Sequence, residues 1–185
     1  MSNRYVIAVD VGIKNLGLAI FDLETSELVV WVRCSICKAG PYYPSKNVEY
    51  IRQLIEDHAT YFANAEKVLI ERQMRVNMRI IESIIHALYF DKCIIMPAQI
   101  VKMHFQLNTG NYKSNKRAAV DYIARQFMDA DISMLRNCTE MFLVWTRESK
   151  QDDLADSLLM IIYYLDTYKI YSDNLPRCVP EVSQS

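Results

Sequence analysis

RYVIAVDVGIKNLGLAIFDLETSELVVWVRCS, residues 4–35, decides the fold. It holds three runs rich in Val, Ile and Leu: RYVIAVDVG, LGLAIFDL and LVVWVRCS. Gly12 closes the first, and the turn ETSE separates the second from the third. β-Branched and aromatic residues bounded by turn formers signal strands, and connections this short join antiparallel neighbours. The start of the chain therefore reads as an antiparallel meander of three strands.

Beyond the meander, strands alternate with helices. KAGPYYPSK, within residues 34–46, is a loop by its glycine and prolines. Ser45 or Asn47 is placed to cap a helix over about 47–63, with Val48, Ile51, Leu54 and Ile55 at helical spacing. KVLIE is a strand ending at Glu71, and CIIMP is a fifth strand ended by Pro97. Between them, residues 74–90 read as a helix with two adjacent apolar stripes. Met74, Met78, Ile81, Ile85 and Leu88 form one; Val76, Ile80, Ile84 and Ala87 form the other. AQIVKMHF reads as a short helix, and Ser114 or Asn115 starts another that runs to about 128. A short helix near 139–145 and a long one over 151–169 complete the set. The order implies a mixed five-stranded α/β sheet, a meander plus parallel strands, with helices on both faces. One domain over 1–171 and a loose tail over 172–185 are expected.

Composition narrows the function classes. The chain has 185 residues and half are apolar, enough for one sizeable core. No apolar run approaches a membrane span, and the acid inside YVIAVDVG argues against a secretory signal. Five cysteines without framework spacing fit a reducing compartment. Cys34 and Cys37 form CSIC, half of a zinc site at most, so ordinary buried thiols are expected. Net charge is −1, but it is unevenly spread. Residues 1–71 carry seven Lys/Arg and nine Asp/Glu, residues 72–125 nine and three, and residues 126–185 five and ten. A basic middle suits a polyanion, or simply a solvated basic face.

The acids carry the chemistry. Asp10 ends the first strand and Glu71 ends KVLI. Buried among Val and Ile, a lone carboxylate needs a partner. If the two strands are parallel neighbours, both acids emerge at one sheet edge, where α/β sheets place their sites. In KQDDLADSLL, Asp153 and Asp156 lie three apart, so they share a helix face. The helix dipole alone would explain Asp152 and Asp153, but not Asp10 or Glu71. Four clustered carboxylates need cations, and hard oxygen ligands select Mg²⁺ or Mn²⁺. A pair of such ions can drive phosphodiester cleavage.

AVDVGIKNLG, VLIERQ and KQDDLADSLL, taken in order, resemble the RNase H-like, retroviral-integrase-like superfamily, and within it the RuvC-type Holliday junction resolvases. Size and motif spacing look most like the poxvirus resolvases, over about Arg4 to Leu165. The resemblance implies a metal-dependent endonuclease that makes paired, symmetric nicks in four-way and branched DNA. It implies Asp10, Glu71, Asp153 and Asp156 as ligands of two Mg²⁺ ions, with Mn²⁺ able to substitute, and Asp10 bridging both. Lys150 takes the family's place for a residue that orients water or phosphate, and Asp152 falls outside the family pattern. The task implied is resolving viral DNA concatemers in the infected-cell cytoplasm, with virion packaging a further expectation.

The basic middle supplies candidate DNA contacts. Lys102 resembles the family's phosphate-contacting Lys, although a solvated Lys fits its pattern equally. Lys113, Lys116 and Arg117 open a helix, where cations oppose the dipole unless a phosphate sits there. Arg72, Arg75 and Arg79 form a strip that would face DNA. The wide apolar surface of helix 74–90 fits burial within one chain or against a second copy; family likeness favours a homodimer. Three other readings compete: a nuclease of the same fold acting on another nucleic acid, a non-catalytic junction-binding protein, and a sugar-kinase-like enzyme suggested by DVGIKNLG. The last needs a second comparable domain, for which 185 residues leave no room.

Overall fold

The structure, a computed structural model, describes residues 4–38, 40–129 and 138–169. The expected tail over 172–185 lies outside the described residues. Five strands form one sheet: β1 (Tyr5–Asp10), β2 (Leu16–Asp22), β3 (Glu27–Cys34), β4 (Ala65–Glu71) and β5 (Cys93–Met96). Their spatial order is β3-β2-β1-β4-β5. β1, β2 and β3 pair antiparallel, while β4 and β5 run parallel to β1. The meander expected from residues 4–35 and the mixed sheet expected from the order of elements are both present.

The strands are apolar throughout because both faces are covered. On one face Val6, Ala8, Ala19, Phe21 and Leu69 meet α4 (Ala98–His104), α5 (Tyr112–Asp129), α6 (Thr139–Thr146) and α7 (Gln151–Tyr164). On the other, Ile7, Val9, Leu18, Ile20, Val68 and Ile70 meet α1 (Asn47–Asp57), α2 (Ala59–Ala63) and α3 (Val76–Leu88). Alternate residues serve alternate faces, as the pleat requires. α7 is buried almost all round, from Leu154 to Tyr164. Each fully buried Leu or Ile in it contributes about 2 kcal/mol relative to exposure. Its first turn is pinned from the sheet, where the Trp31 indole donates to the Leu154 carbonyl at 2.9 Å. From the other side the Trp145 indole donates to the Gln151 carbonyl at 3.1 Å.

Several local expectations are corrected. The helix over 47–63 is two helices, because His58 leaves helical geometry at φ −124°, ψ 31° and α2 then brings Phe62 into the core. Neither Ser45 nor Asn47 caps α1; a 3₁₀ turn over Pro44–Lys46 precedes it, and the buried Asn47 accepts the Tyr42 hydroxyl at 2.8 Å. α5 begins at Tyr112, and Asn111 accepts the Lys113 N–H at 2.9 Å in the capping role. Asn115 instead ties the preceding loop, accepting both the Thr109 N–H and hydroxyl at 2.7 Å. α3 starts at Val76, with Arg75 extended before it. α7 ends at Tyr164, and a π-type turn carries the chain to Lys169. Among the described cysteines only Cys138 is buried; Cys34, Cys37 and Cys93 are half-buried. No helix among the described residues is long and apolar enough to cross a membrane.

Candidate active site

The pleat decides where the strand-end acids point. Asp10 shares a face with Val6 and Ala8, and Glu71 shares one with Leu69; both faces look toward α7. Val9 is level with Ile70 in the parallel pair, so one step further sets Asp10 beside Glu71. On its other side Asp10 is level with Gly17 of β2. A Cβ at Gly17 would lie 2.2 Å from the Asp153 carbonyl oxygen and 3.4 Å from Ser157 Cβ. The missing side chain therefore lets the first turn of α7 rest on the β2 backbone. This close approach brings the α7 acids to Asp10.

Asp10, Glu71 and Asp156 each place a carboxylate oxygen within 4.8 Å of the others. Asp153 lines the same cleft without bringing an oxygen into that group, so three of the four expected ligands converge and the fourth stands beside them. Burial pushes the Asp10 carboxyl well above the ordinary range, and the Glu71 charge, a hydrogen bond shared with Glu71 and the charges of Asp156 and Asp153 push it further. Burial also raises Asp156, to about 6; Lys102 pulls it down and Glu71 adds to the rise. Asp153 is raised by burial and by Asp152.

Two lysines answer part of this charge. Lys102 Nζ stands 3.0 Å from Asp156 Oδ1 and 3.1 Å from Oδ2, and only the Oδ2 approach has hydrogen-bond geometry. The buried Oδ1 is left without a donor. A solvated Lys102 is thereby corrected: at 13% side-chain exposure it is wedged into the acid cluster from α4. Asp152, whose place the sequence left open, pairs with Lys116 of α5. Burial pushes Asp152 up, but the Lys116 hydrogen bond and charge outweigh it and hold Asp152 below the ordinary range.

The donor set suits a hard divalent cation. Three carboxylates from two strands and a helix repel one another, and Asp156 offers an oxygen with no hydrogen bond. Such oxygens attract Mg²⁺-like ions rather than soft metals. The raised pKa values set a pH dependence. Asp10 and Asp156 bind protons more tightly folded than unfolded, so this contribution to stability is complete below about pH 4 and fades as pH climbs through about 6. A cation must displace those protons, so its affinity rises over the same window. Asp22 and Asp57, held low by hydrogen bonds from Arg4 and Lys38, titrate below it. The rise in melting temperature on adding Mn²⁺ is expected to grow between about pH 5 and about pH 7. Melting curves with and without Mn²⁺ check this, and a pH-independent rise contradicts it.

The acids sit in a cleft of about 870 Å³, and its other charged lining is basic: Lys14, Arg72, Arg75, Lys102, Lys116 and Lys150. A second hollow of about 520 Å³ lies between the starts of α5 and α7, lined by Lys113, Lys116, Arg117 and Lys150 with Asp152. Lys116 and Lys150 line both. Arg72 and Arg75 precede α3 rather than riding on it and line the cleft, while Arg79 is exposed on the first turn of α3, so the expected strip is not a purely helical one. Sequence reading missed Lys14 and Asn15, which the β1–β2 turn carries into the cleft. Arg33 holds that turn to the approach to α7, donating to Asn15 Oδ1 at 2.8 Å and to Glu148 Oε2 at 3.0 Å. Gly12-Ile-Lys-Asn, just past a strand-end acid, was the available signal.

A family model described as "Poxvirus A22 protein" matches residues 4–167. No curated protein matches the chain in sequence. Among solved structures, the yeast mitochondrial Holliday junction resolvase Ydc2 is 19% identical with a TM-score of 0.63, over 92% of this chain and 87% of its own. The fowlpox virus resolvase, solved with substrate Holliday junction DNA, is 20% identical with a TM-score of 0.61, over 88% and 97%. Thermus thermophilus RuvC, in complex with a Holliday junction substrate, is 16% identical with a TM-score of 0.51, over 88% and 95%. The fold shared with these structures is the RNase H-like sheet of the RuvC-type resolvases.

Proposed function

The chain belongs to the poxvirus A22 protein family, and we propose that it resolves four-way DNA junctions as a Mg²⁺-dependent endonuclease. The observation that carries this reading is the convergence of Asp10, Glu71 and Asp156 in a cleft whose other charges are basic. Such a site binds a polyanion and cuts it. Asp10, Glu71 and Asp156 would hold a divalent ion, and Asp153, beside them in the cleft, would add a further carboxylate for a second. When bound, these ions supply the Lewis acidity that hydrolysis of a phosphodiester requires. The water oxygen joins phosphorus and the P–O3′ bond breaks, leaving a 5′-phosphate and a 3′-hydroxyl.

The protein's own side chains bind and orient the strand. Lys14, Arg72 and Arg75 neutralise phosphates along the cleft, and Lys113, Lys116 and Arg117 continue the path over α5. Lys150, at the start of α7, faces both hollows and orients the reacting phosphate or water. Lys102 keeps Asp156 ionised, and the backbone of α7 holds Asp153 and Asp156 on one face. The setting is the infected-cell cytoplasm, in keeping with five cysteines that show no framework spacing.

A four-way junction has two-fold symmetry, and paired nicks need two sites. α3 supports a second copy of the chain: Val76 is 75% exposed and Ile80 41%. With Ala87 they line the helix side opposite the buried Ile85. A charge placed there opposes pairing. Ile80→Asp is expected to weaken self-association by about a hundredfold and to turn paired cuts into single nicks. Sedimentation reads the first effect and a supercoiled cruciform plasmid the second; unchanged association contradicts the assignment.

Cleavage of a synthetic four-way junction against a linear duplex, with Mg²⁺ and with EDTA, tests the function. Mg²⁺-dependent cutting confined to the junction is expected. Equal cutting of the duplex moves the same chemistry to another nucleic acid, and binding without any cutting makes the chain a junction-binding protein.

A further inference from the structure

Glu82 lies in the middle of α3, buried on the side that packs toward the sheet. A carboxylate inside a protein is costly unless hydrogen-bonded, so its partner matters. Glu82 Oε2 accepts the backbone N–H of Gln73 at 2.6 Å. Gln73 is two residues past Glu71 and is itself buried. Its side-chain amide donates to the Glu71 carbonyl at 3.3 Å. Between them, the Arg72 N–H donates to the Met96 carbonyl of β5 at 2.8 Å. The segment leaving β4 is thus held at every residue, and Glu82 supplies a hold that comes from α3.

This segment lines the cleft with Glu71, Arg72 and Gln73. At Gln73 the β4 ladder has ended, so its N–H has no strand to bond. We propose that Glu82 is a positioning residue: by accepting the Gln73 N–H it fixes the exit of β4 and so aims Glu71 at Asp10 and Asp156. The proposal deepens the nuclease reading and rests on it. Glu82 does not line the cleft, so its effect passes through the backbone. Burial, and after it the Glu82 charge, pushes the Cys93 thiol up to about 11.

Two variants separate positioning from charge or bulk stability. Glu82→Gln keeps an acceptor oxygen at the same reach; Glu82→Asp keeps the charge and withdraws the acceptor by one methylene. Glu82→Asp is expected to lower the single-turnover rate on a synthetic four-way junction about tenfold, and to raise the Mn²⁺ concentration for half-maximal thermal stabilisation by about the same factor. Glu82→Gln is expected to stay within about threefold of the parent in both. Both variants are expected to bind the junction in EDTA as the parent does. Parent-like behaviour of Glu82→Asp overturns the proposal. So does an equal loss in Glu82→Gln, or a Glu82→Asp chain already unfolded at the assay temperature, which would assign Glu82 to stability alone. A parent that cuts no junction removes the nuclease reading, and the Mn²⁺ midpoint, read without DNA, then still decides the role of Glu82.

Discussion

Asp10→Asn abolishes junction cleavage, by about three orders of magnitude or more, and leaves junction binding in EDTA at the parent level. Asn fills the same volume between Gly17 and Glu71, so the sheet has no reason to move. What goes is a negative charge and an anionic oxygen from the group formed with Glu71 and Asp156. The phosphate-binding lysines and arginines are untouched, which is why binding survives. The variant also sheds a buried charge that Glu71, Asp156 and Asp153 all oppose. Its melting temperature in EDTA near neutral pH is therefore expected to rise above the parent's, and the Mn²⁺-dependent rise to shrink. Loss of cleavage with lower stability and lost binding would instead mark a folding defect.

Gly17→Ala has the second-largest expected effect, for a steric reason. The added Cβ would sit 2.2 Å from the Asp153 carbonyl oxygen and 2.8 Å from its carbonyl carbon. Those are backbone atoms, so no rotamer change relieves the clash. Strand and helix must part by about 1 Å, and a displacement of that size at a reacting centre costs about a hundredfold in rate. The core beneath α7 loosens too, with an expected loss of about 2 kcal/mol. Denaturant unfolding reads the stability and single-turnover cleavage the rate. Parent-like values in both would mean that α7 does not bear on β2 at this point.

The sheet and its acids were legible for definite reasons. Residues 4–35 alternate turn signals with β-branched runs, and a meander is the short-range solution. Asp10 and Glu71 stand out because each interrupts an apolar strand at its last residue. Asp153 and Asp156 follow from helical spacing. The counterions were not legible. Lys102 and Asp156 are 54 residues apart and Lys116 and Asp152 are 36 apart, so their pairing depends on how α4 and α5 settle against α7. Glu82 was hidden because a glutamate within IIESII reads as a solvated helix position until the exit of β4 is placed beneath it. Gly17 was within reach: LGLA sets small residues on the strand next to the one that ends in Asp10. The break at His58 has no sequence signal of the Gly or Pro kind.

The most direct measurement is anomalous diffraction from crystals of the parent chain soaked in Mn²⁺. A peak within about 2.0–2.3 Å of carboxylate oxygens from Asp10, Glu71 and Asp156 is predicted, and its loss in Asp10→Asn should follow. Crystals that show Mn²⁺ bound only elsewhere at saturating concentration, with these three carboxyls still together, would contradict the account.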